Sequence, residues 1–303
     1  MAMRLSEMVA YAGTDIAYVP EDCEVTSVEL CKKIKGNCAL TYLMSEKFLA
    51  DLSNPAIVAV ICQQEMSETI QKAGKKVLIS DEPKFCFYSL HNYVANQCKQ
   101  KAVLQDTVLG MNCNIHPSAI IAQNGVTIGN RVTIEAGVII HPHCTIGDDA
   151  YICSGSVIGA RSFNPARYKG RSIMMEDCGS VVIEEHVTVC SNSVIVRGVL
   201  PNEETRIGSY SVIDTMVHIA HGVNIGKCSF IVSGSSIGGN AVIGSNCWVG
   251  INATVSNRIV VGDGARVSLG SVVTKNVPDN ETVTGNFAIE HQKFLINLKN
   301  SIV

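Results

Sequence analysis

Ile207-Gly208-Ser209-Tyr210-Ser211-Val212-Ile213-Asp214-Thr215-Met216-Val217-His218-Ile219-Ala220-His221-Gly222-Val223-Asn224-Ile225 places an isoleucine at every sixth position. Forward, the beat continues through Ile231, Ile237, Ile243, Val249, Val255, Val261, Val267 and Val273; backward it passes Ile195, Val189 and Ile183, with Pro201 the one exception. The same phase holds at Ile128, Ile134, Ile140, Ile146, Ile152 and Ile158. One extra residue near Asn124-Gly125 separates that run from Val103, Leu109, Ile115 and Ile121. Four residues after each aliphatic stands a small or β-branched side chain, among them Ser211, Val217, Ser229, Ser235, Ala241 and Cys247, and glycine often follows the aliphatic directly. A period of six matches neither a helix at about 3.6 nor a coiled coil at about 3.5 residues per turn. It describes short strands that turn a corner every six residues, each wedging one aliphatic inward. Three faces close a turn of eighteen residues, so residues eighteen apart stack at the inter-strand spacing of about 4.8 Å. Such turns satisfy their backbone only by stacking on one another. The expected fold is mainly β, a left-handed parallel β-helix of hexapeptide repeats.

Outside the beat the chain changes character. Residues 1–101 show no six-residue phase; 56–62 and 76–80 predict short strands and 85–97 an amphipathic helix, so a small α/β domain precedes the coil. The β-helix domain spans 102–284, and the count breaks between Ile158 and Ile183, which predicts a loop over 160–181. Long excursions from a regular scaffold commonly carry sites, although a tolerated surface insertion is the plain alternative. Residues 285–303 form a short terminal segment, with a helix expected at 287–300. The 303 residues are 47% hydrophobic and 17% charged, enough for a real core, and the 5% aromatic content suits stacked Val and Ile better than large rings. A net charge of −3 without a basic tract argues against a nucleic-acid partner. No apolar run is long enough for a transmembrane segment, and the first twenty residues lack the pattern of a secretory signal. Thirteen cysteines without a tight framework fit reduced thiols, so the expected location is cytoplasmic.

The most unusual polar cluster is Asp214-Thr215-Met216-Val217-His218-Ile219-Ala220-His221-Gly222. The phase puts Ile213 and Ile219 inside, while His221 falls two residues past an inward aliphatic, where a side chain points outward. A neutral imidazole is the natural general base near neutral pH. Asp214, around a corner on the preceding strand, is placed to hold the ring in its working tautomer. Surface histidines at a solenoid corner are the alternative. Eighteen residues beyond His221 stands Gly239, stacked on it in the next turn, where the missing side chain permits close approach and the N–H can meet an oxyanion. A base and an oxyanion donor one strand apart suit acyl transfer. Cys144 and Cys247 occupy the small inward position and are assigned to packing.

On these residues the chain resembles the UDP-3-O-acylglucosamine N-acyltransferases of lipid A synthesis, from about Met3 to the end of the coil. Val212-Ile213-Asp214 with Ile219-Ala220-His221 resembles that family's catalytic segment, which implies His221 as general base and Gly239 as oxyanion-hole glycine. The loop at 159–183 matches without gaps, Phe163 included. Leu40-Thr41-Tyr42-Leu43-Met44-Ser45-Glu46-Lys47-Phe48 resembles the segment whose two aromatics sandwich uracil, which implies nucleotide stacking for Tyr42 and Phe48, with core packing as their alternative. His218 and Arg258 are further substrate-binding residues on this resemblance; Arg258 falls where some members carry an assisting histidine. Other departures are Gly222 in place of a polar residue, Arg161 and Val196 in place of acids, Ser45 in place of asparagine, and a much shorter terminal helix.

The expected activity is therefore transfer of an acyl group from a thioester, on acyl carrier protein phosphopantetheine or CoA, to the amine of a nucleotide-linked amino sugar. The expectation includes no cofactor and no metal, and the resemblance implies a homotrimer. The rival within enzymes is an acetyl-CoA-dependent N- or O-acetyltransferase, since Val283-Thr284-Gly285-Asn286-Phe287-Ala288 resembles the end of many of those. A carbonic-anhydrase-type metal enzyme would need three converging imidazoles from among His116, His141, His143, His186, His218 and His221. A non-catalytic scaffold would lack the loop, the aromatic pair and the histidine cluster, all of which are present.

Overall fold

The protein is described by a computed structural model covering residues 2–12, 16, 22–101, 104–285 and 288–301. The chain divides into two units. One comprises Met1–Leu104, Ser162–Cys178 and Val199–Asn202, and the other Gln105–Arg161, Gly179–Gly198 and Glu203–Val303.

The second unit is the coil that the beat demands. Its two- to four-residue strands stack as three parallel sheets of eight, nine and eight strands among the described residues. Register follows the eighteen-residue step, with Ile213 opposite Ile231, Ile219 opposite Ile237 and Ile225 opposite Ile243. Ile152, Ile183, Ile195, Ile213, Ile219, Ile231 and Ile237 have no exposed surface, and each such burial is worth about 1.5–3 kcal/mol. The small inward positions add hydrogen bonds: Ser229 and Ser235 donate to the carbonyls of Gly244 and Gly250 at 2.7 and 2.8 Å. The extra residue near 124 is real, because Ile128 pairs with Leu109 nineteen positions back but with Ile146 eighteen ahead. Cys144 and Cys247 are each 2% exposed among the inward side chains, and burial pushes the Cys144 thiol up to about 12.

Two turns are longer. Between Ile158 and Ile183 the chain leaves the coil over 162–178. Between Ile195 and Ile207 it leaves again over 199–202, so Ile183 pairs with Ile207 twenty-four residues on. This second excursion adds six residues, one full beat, which is why the phase runs through it and only Pro201 betrays it. Both excursions fold with the first unit, whereas the sequence assigned 160–181 to the coil domain.

The first unit holds a parallel sheet of Ser27–Val28, Ala39–Tyr42, Ile57–Cys62 and Lys76–Ile79, and a helix, Pro83–Lys101, a few residues longer than the sequence predicts. One core gathers Leu40, Ile61, Phe87, Leu90, Ala166, Met175, Val199 and Leu200, and a separate one gathers Leu43, Leu52, Val60 and Ile70. The longer excursion forms the hairpin Pro165–Tyr168 with Arg171–Met174. The helix fastens it through Tyr88 to Asn164 Oδ1 at 2.6 Å, Asn92 Nδ2 to the Met174 carbonyl at 2.8 Å, and buried His91, whose Nε2 lies 2.9 Å from the Glu176 carbonyl. The C-terminal helix is His291–Ser301. Val103 of the beat, and Asn286 and Phe287 of the terminal motif and expected helix start, lie outside the described residues. Among the described residues no helix is long and apolar enough to cross a membrane.

Candidate active site

The strand His218–Ile219 ends on buried Ile219 and turns toward Asn224–Ile225. Two residues into that corner the His221 side chain emerges, 21% exposed. One turn on, Gly239 occupies the same place after Ile237. A Cβ added to Gly239 would lie 2.7 Å from His221 Nε2 and 3.1 Å from both adjoining ring carbons. The ring therefore occupies the space a side chain at this position would take, and any larger residue would displace it. Gly238 N donates to the Val255 carbonyl and Asn240 N to the His221 carbonyl, each at 2.8 Å, while the Gly239 N–H between them has no acceptor among the described residues. The juxtaposition expected from the eighteen-residue step is present: an imidazole nitrogen and an open amide meet on adjoining turns.

Asp214 does not join them. Its Oδ1 accepts the Thr215 N–H at 2.7 Å and its Oδ2 the Ser233 N–H at 3.0 Å. Six residues advance the chain by one face, so a residue seven before His221 stands at another corner. Its orienting role is thereby corrected: Asp214 closes the amides of its own corner, as Asp148 does for Asn130 at 2.8 Å and Asp263 for Ser245 at 2.7 Å. The carboxylate beside the histidine is Glu203, whose Oε1 lies 3.8 Å from His221 Nδ1 and whose side chain is 8% exposed. Glu203 stands eighteen residues before His221, and the step that locates Gly239, taken backward, lands on it. Asn240 completes the setting, with its Nδ2 3.5 Å from Nδ1.

Arg258 is exposed at the same corner, and its backbone N–H donates to the Gly239 carbonyl at 3.0 Å. His218 faces outward on the preceding strand between Val194 and Ser236, where loss of hydration holds its imidazole below the ordinary value. In the first unit Phe163 is 86% exposed at the excursion. Tyr42 packs in the core of the long helix, its ring 4.8 Å from Phe87. Phe48 packs in the other core, with Lys32 and Lys47 nitrogens 5.3 and 5.2 Å from its ring centre. The two rings implied as a uracil clamp thus sit in different cores of the sheet. Strand alternation decides this: Leu40 and Tyr42 point to one face and Leu43 to the other. Among the described residues no three His, Cys, Asp or Glu side chains converge as a metal site.

The bacterial transferase hexapeptide family (six repeats) matches residues 125–160, and the hexapeptide repeat of succinyl-transferase matches 106–142 and 236–275. The chain is similar to the UDP-3-O-acylglucosamine N-acyltransferase of Hydrogenovibrio crunogenus, 38% identical over 40% of this chain and 34% of that one. It is also similar to the enzyme of that name from Maricaulis maris, 31% identical over 65% of this chain and 63% of that one. The matched segments thus span between one third and just under two thirds of these relatives. Among solved structures, the UDP-N-acetylglucosamine acyltransferase of Campylobacter jejuni is similar with a TM-score of 0.46, at 20% identity over 62% of this chain and 83% of that one.

Proposed function

We propose that this chain, a hexapeptide-repeat protein similar to the UDP-3-O-acylglucosamine N-acyltransferases, moves an acyl group from a thioester to the amine of a nucleotide-linked amino sugar. The observation that carries the proposal is that His221 Nε2 fills the place of a Gly239 side chain, beside an amide that has no acceptor among the described residues. The sugar amine attacks the thioester carbonyl, and Nε2 takes the proton that the nitrogen sheds as the C–N bond forms. Negative charge gathers on the carbonyl oxygen, where the Gly239 N–H donates to it. Collapse of the tetrahedral intermediate breaks the C–S bond, and the sulfur leaves as thiolate and takes the proton back from the imidazolium. The products are an amide and a thiol. No step calls for a metal or a redox cofactor; the thioester is a co-substrate.

The donor in this reading is acyl carrier protein phosphopantetheine or CoA. Arg258 and His218 offer exposed side chains of the coil to the substrates, and Phe163, Tyr42 and Phe48 are the candidates for binding on the first unit. A cytoplasmic homotrimer is part of the same reading, supported by the resemblance. The test incubates the purified protein with UDP-3-O-(3-hydroxyacyl)glucosamine and either 3-hydroxyacyl carrier protein or acetyl-CoA, and weighs the sugar product. Gain of a hydroxyacyl amide supports the proposal, acetyl transfer alone favours the acetyltransferase rival, and an unchanged sugar with both donors refutes acyl transfer to this acceptor.

A further inference from the structure

We infer that Glu203 is the positioning carboxylate of the site: it accepts the Nδ1–H of His221 and thereby leaves the Nε2 lone pair turned toward Gly239 and the acceptor amine. The inference deepens the proposed transfer reaction and rests on His221 being its base.

Three independent features converge on this one side chain. The first is register, since Glu203, His221 and Gly239 occupy one corner on three successive turns, each eighteen residues from the next. Glu203 is also the residue at which the chain rejoins the coil after the 199–202 excursion.

The second is the room made for it. A Cβ at Gly179 or at Gly198 would collide with the Glu203 carbonyl oxygen, and one at Gly222 with its Oε1. That carbonyl accepts the Ser180 N–H at 3.1 Å, the Ser180 carbonyl accepts the Gly198 N–H at 3.2 Å, and the Gly198 carbonyl accepts the Gly179 N–H at 3.0 Å. Two glycines thus make room for the Glu203 main chain, and Gly222 makes room for its carboxylate. Gly222, which departs from the polar residue usual beside the family's histidine, leaves room beside its Cα for the side-chain oxygens of both Glu203 and Asn240.

The third is chemistry. A carboxylate this shielded from water sits among donor groups, and the imidazole Nδ1 is one of the groups beside it, 3.8 Å from Oε1. Closing that gap to hydrogen-bond length takes a shift of under about 1 Å, within the tightening usual when a substrate fills an unliganded site. A base held by a carboxylate through its far nitrogen is the general arrangement by which an imidazole keeps one tautomer and stabilises the charge it acquires. Asn240 competes for the same nitrogen. If its amide hydrogens were the partner of Nδ1, the ring would carry hydrogen on Nε2 and could not act as base, so the tautomer of His221 discriminates between the two.

The experiment pairs histidine-selective 15N NMR at neutral pH with kinetics, using 3-hydroxyacyl carrier protein and UDP-3-O-(3-hydroxyacyl)glucosamine as the probes. Wild type is expected to show the Nδ1–H tautomer of His221. Glu203→Gln, close to isosteric, is expected to shift the ring toward the Nε2–H form and to lower kcat about ten- to a hundredfold with KM for both substrates within about twofold. Glu203→Asp should recover part of the rate. A dominant Nε2–H tautomer in wild type overturns the inference even where a variant fails to fold. A wild-type kcat and tautomer balance in Glu203→Gln overturns it as well. His221→Ala run alongside separates the two claims: full activity there sinks the assignment of the base, whereas an inactive His221→Ala beside a fully active Glu203→Gln sinks the positioning role alone.

Discussion

The corners at either end of the strand His218–Ile219 are cut from the same repeat and put the same backbone group to opposite use. At the corner before it, the amides of Thr215 and Ser233 are both taken by the Asp214 carboxylate. At the corner after it, the corresponding amide of Gly239 has no acceptor among the described residues, and an imidazole fills the place of the missing side chain. A solenoid of this type presents an N–H two residues past each inward aliphatic, turn after turn. Elsewhere Asp148, Glu135, Glu184 and Asp263 close such amides, those of Asn130, Ser154, Ser209 and Ser245. A carboxylate at that place makes a structural cap. A histidine with a glycine above it makes a base facing an oxyanion donor.

The contrast breaks hardest at Gly239. Gly239→Ala puts a methyl 2.7 Å from His221 Nε2, closer than such atoms pack, and transfer should fall about a hundredfold or more while the melting temperature stays near wild type; paired activity and calorimetry check this. Next in size, Gly222→Ala should displace the Glu203 carboxylate and lower kcat about tenfold, again read by turnover. Asp214→Ala should do the reverse. Stranding the Thr215 and Ser233 amides is expected to lower unfolding free energy by about 1–2 kcal/mol in urea and to leave kcat within about twofold. The smallest effect concerns acid. The Asn130 backbone N–H, with its side chain, holds Asp148 below the usual carboxylate range, and the Tyr151 hydroxyl and then Ser154 do the same for Glu135. A carboxyl whose pKa is lower folded than unfolded adds stability above its ordinary value, about 4, and that stability drains away as pH falls through the lower folded value. The coil should therefore lose stability below about pH 4.5, and Asp148→Asn should flatten that slope slightly in melts between pH 3 and 5, roughly that interval.

The coil was legible because its period is geometric. Six residues per face left no other regular structure, and the extra residue near 124 and the stacking of Gly239 on His221 both followed from counting. Glu203 was within reach of the same arithmetic, eighteen residues before His221, whereas the excursion just before it stayed hidden because six extra residues keep the phase intact and leave only Pro201 as its trace. The misassignment of Asp214 came from judging nearness along the chain, where the coil brings residues together at eighteen and holds residues seven apart at different corners. Tyr42 and Phe48 show the limit of a short matched segment. Which face of a sheet each ring takes depends on pleat and on the turn after Leu43, and those send them into separate cores. The longer excursion could be located but not assigned, because its partners, such as Tyr88, His91 and Asn92, lie on a helix 76 to 85 residues earlier.

The most direct measurement is the single-turnover rate of acyl transfer by folded His221→Ala under saturating substrates. A loss of at least about a hundredfold is expected, the scale of general-base catalysis, with the thermal melt unchanged. A rate close to that of wild type would contradict it, leaving the imidazole as one more side chain on a corner of the coil.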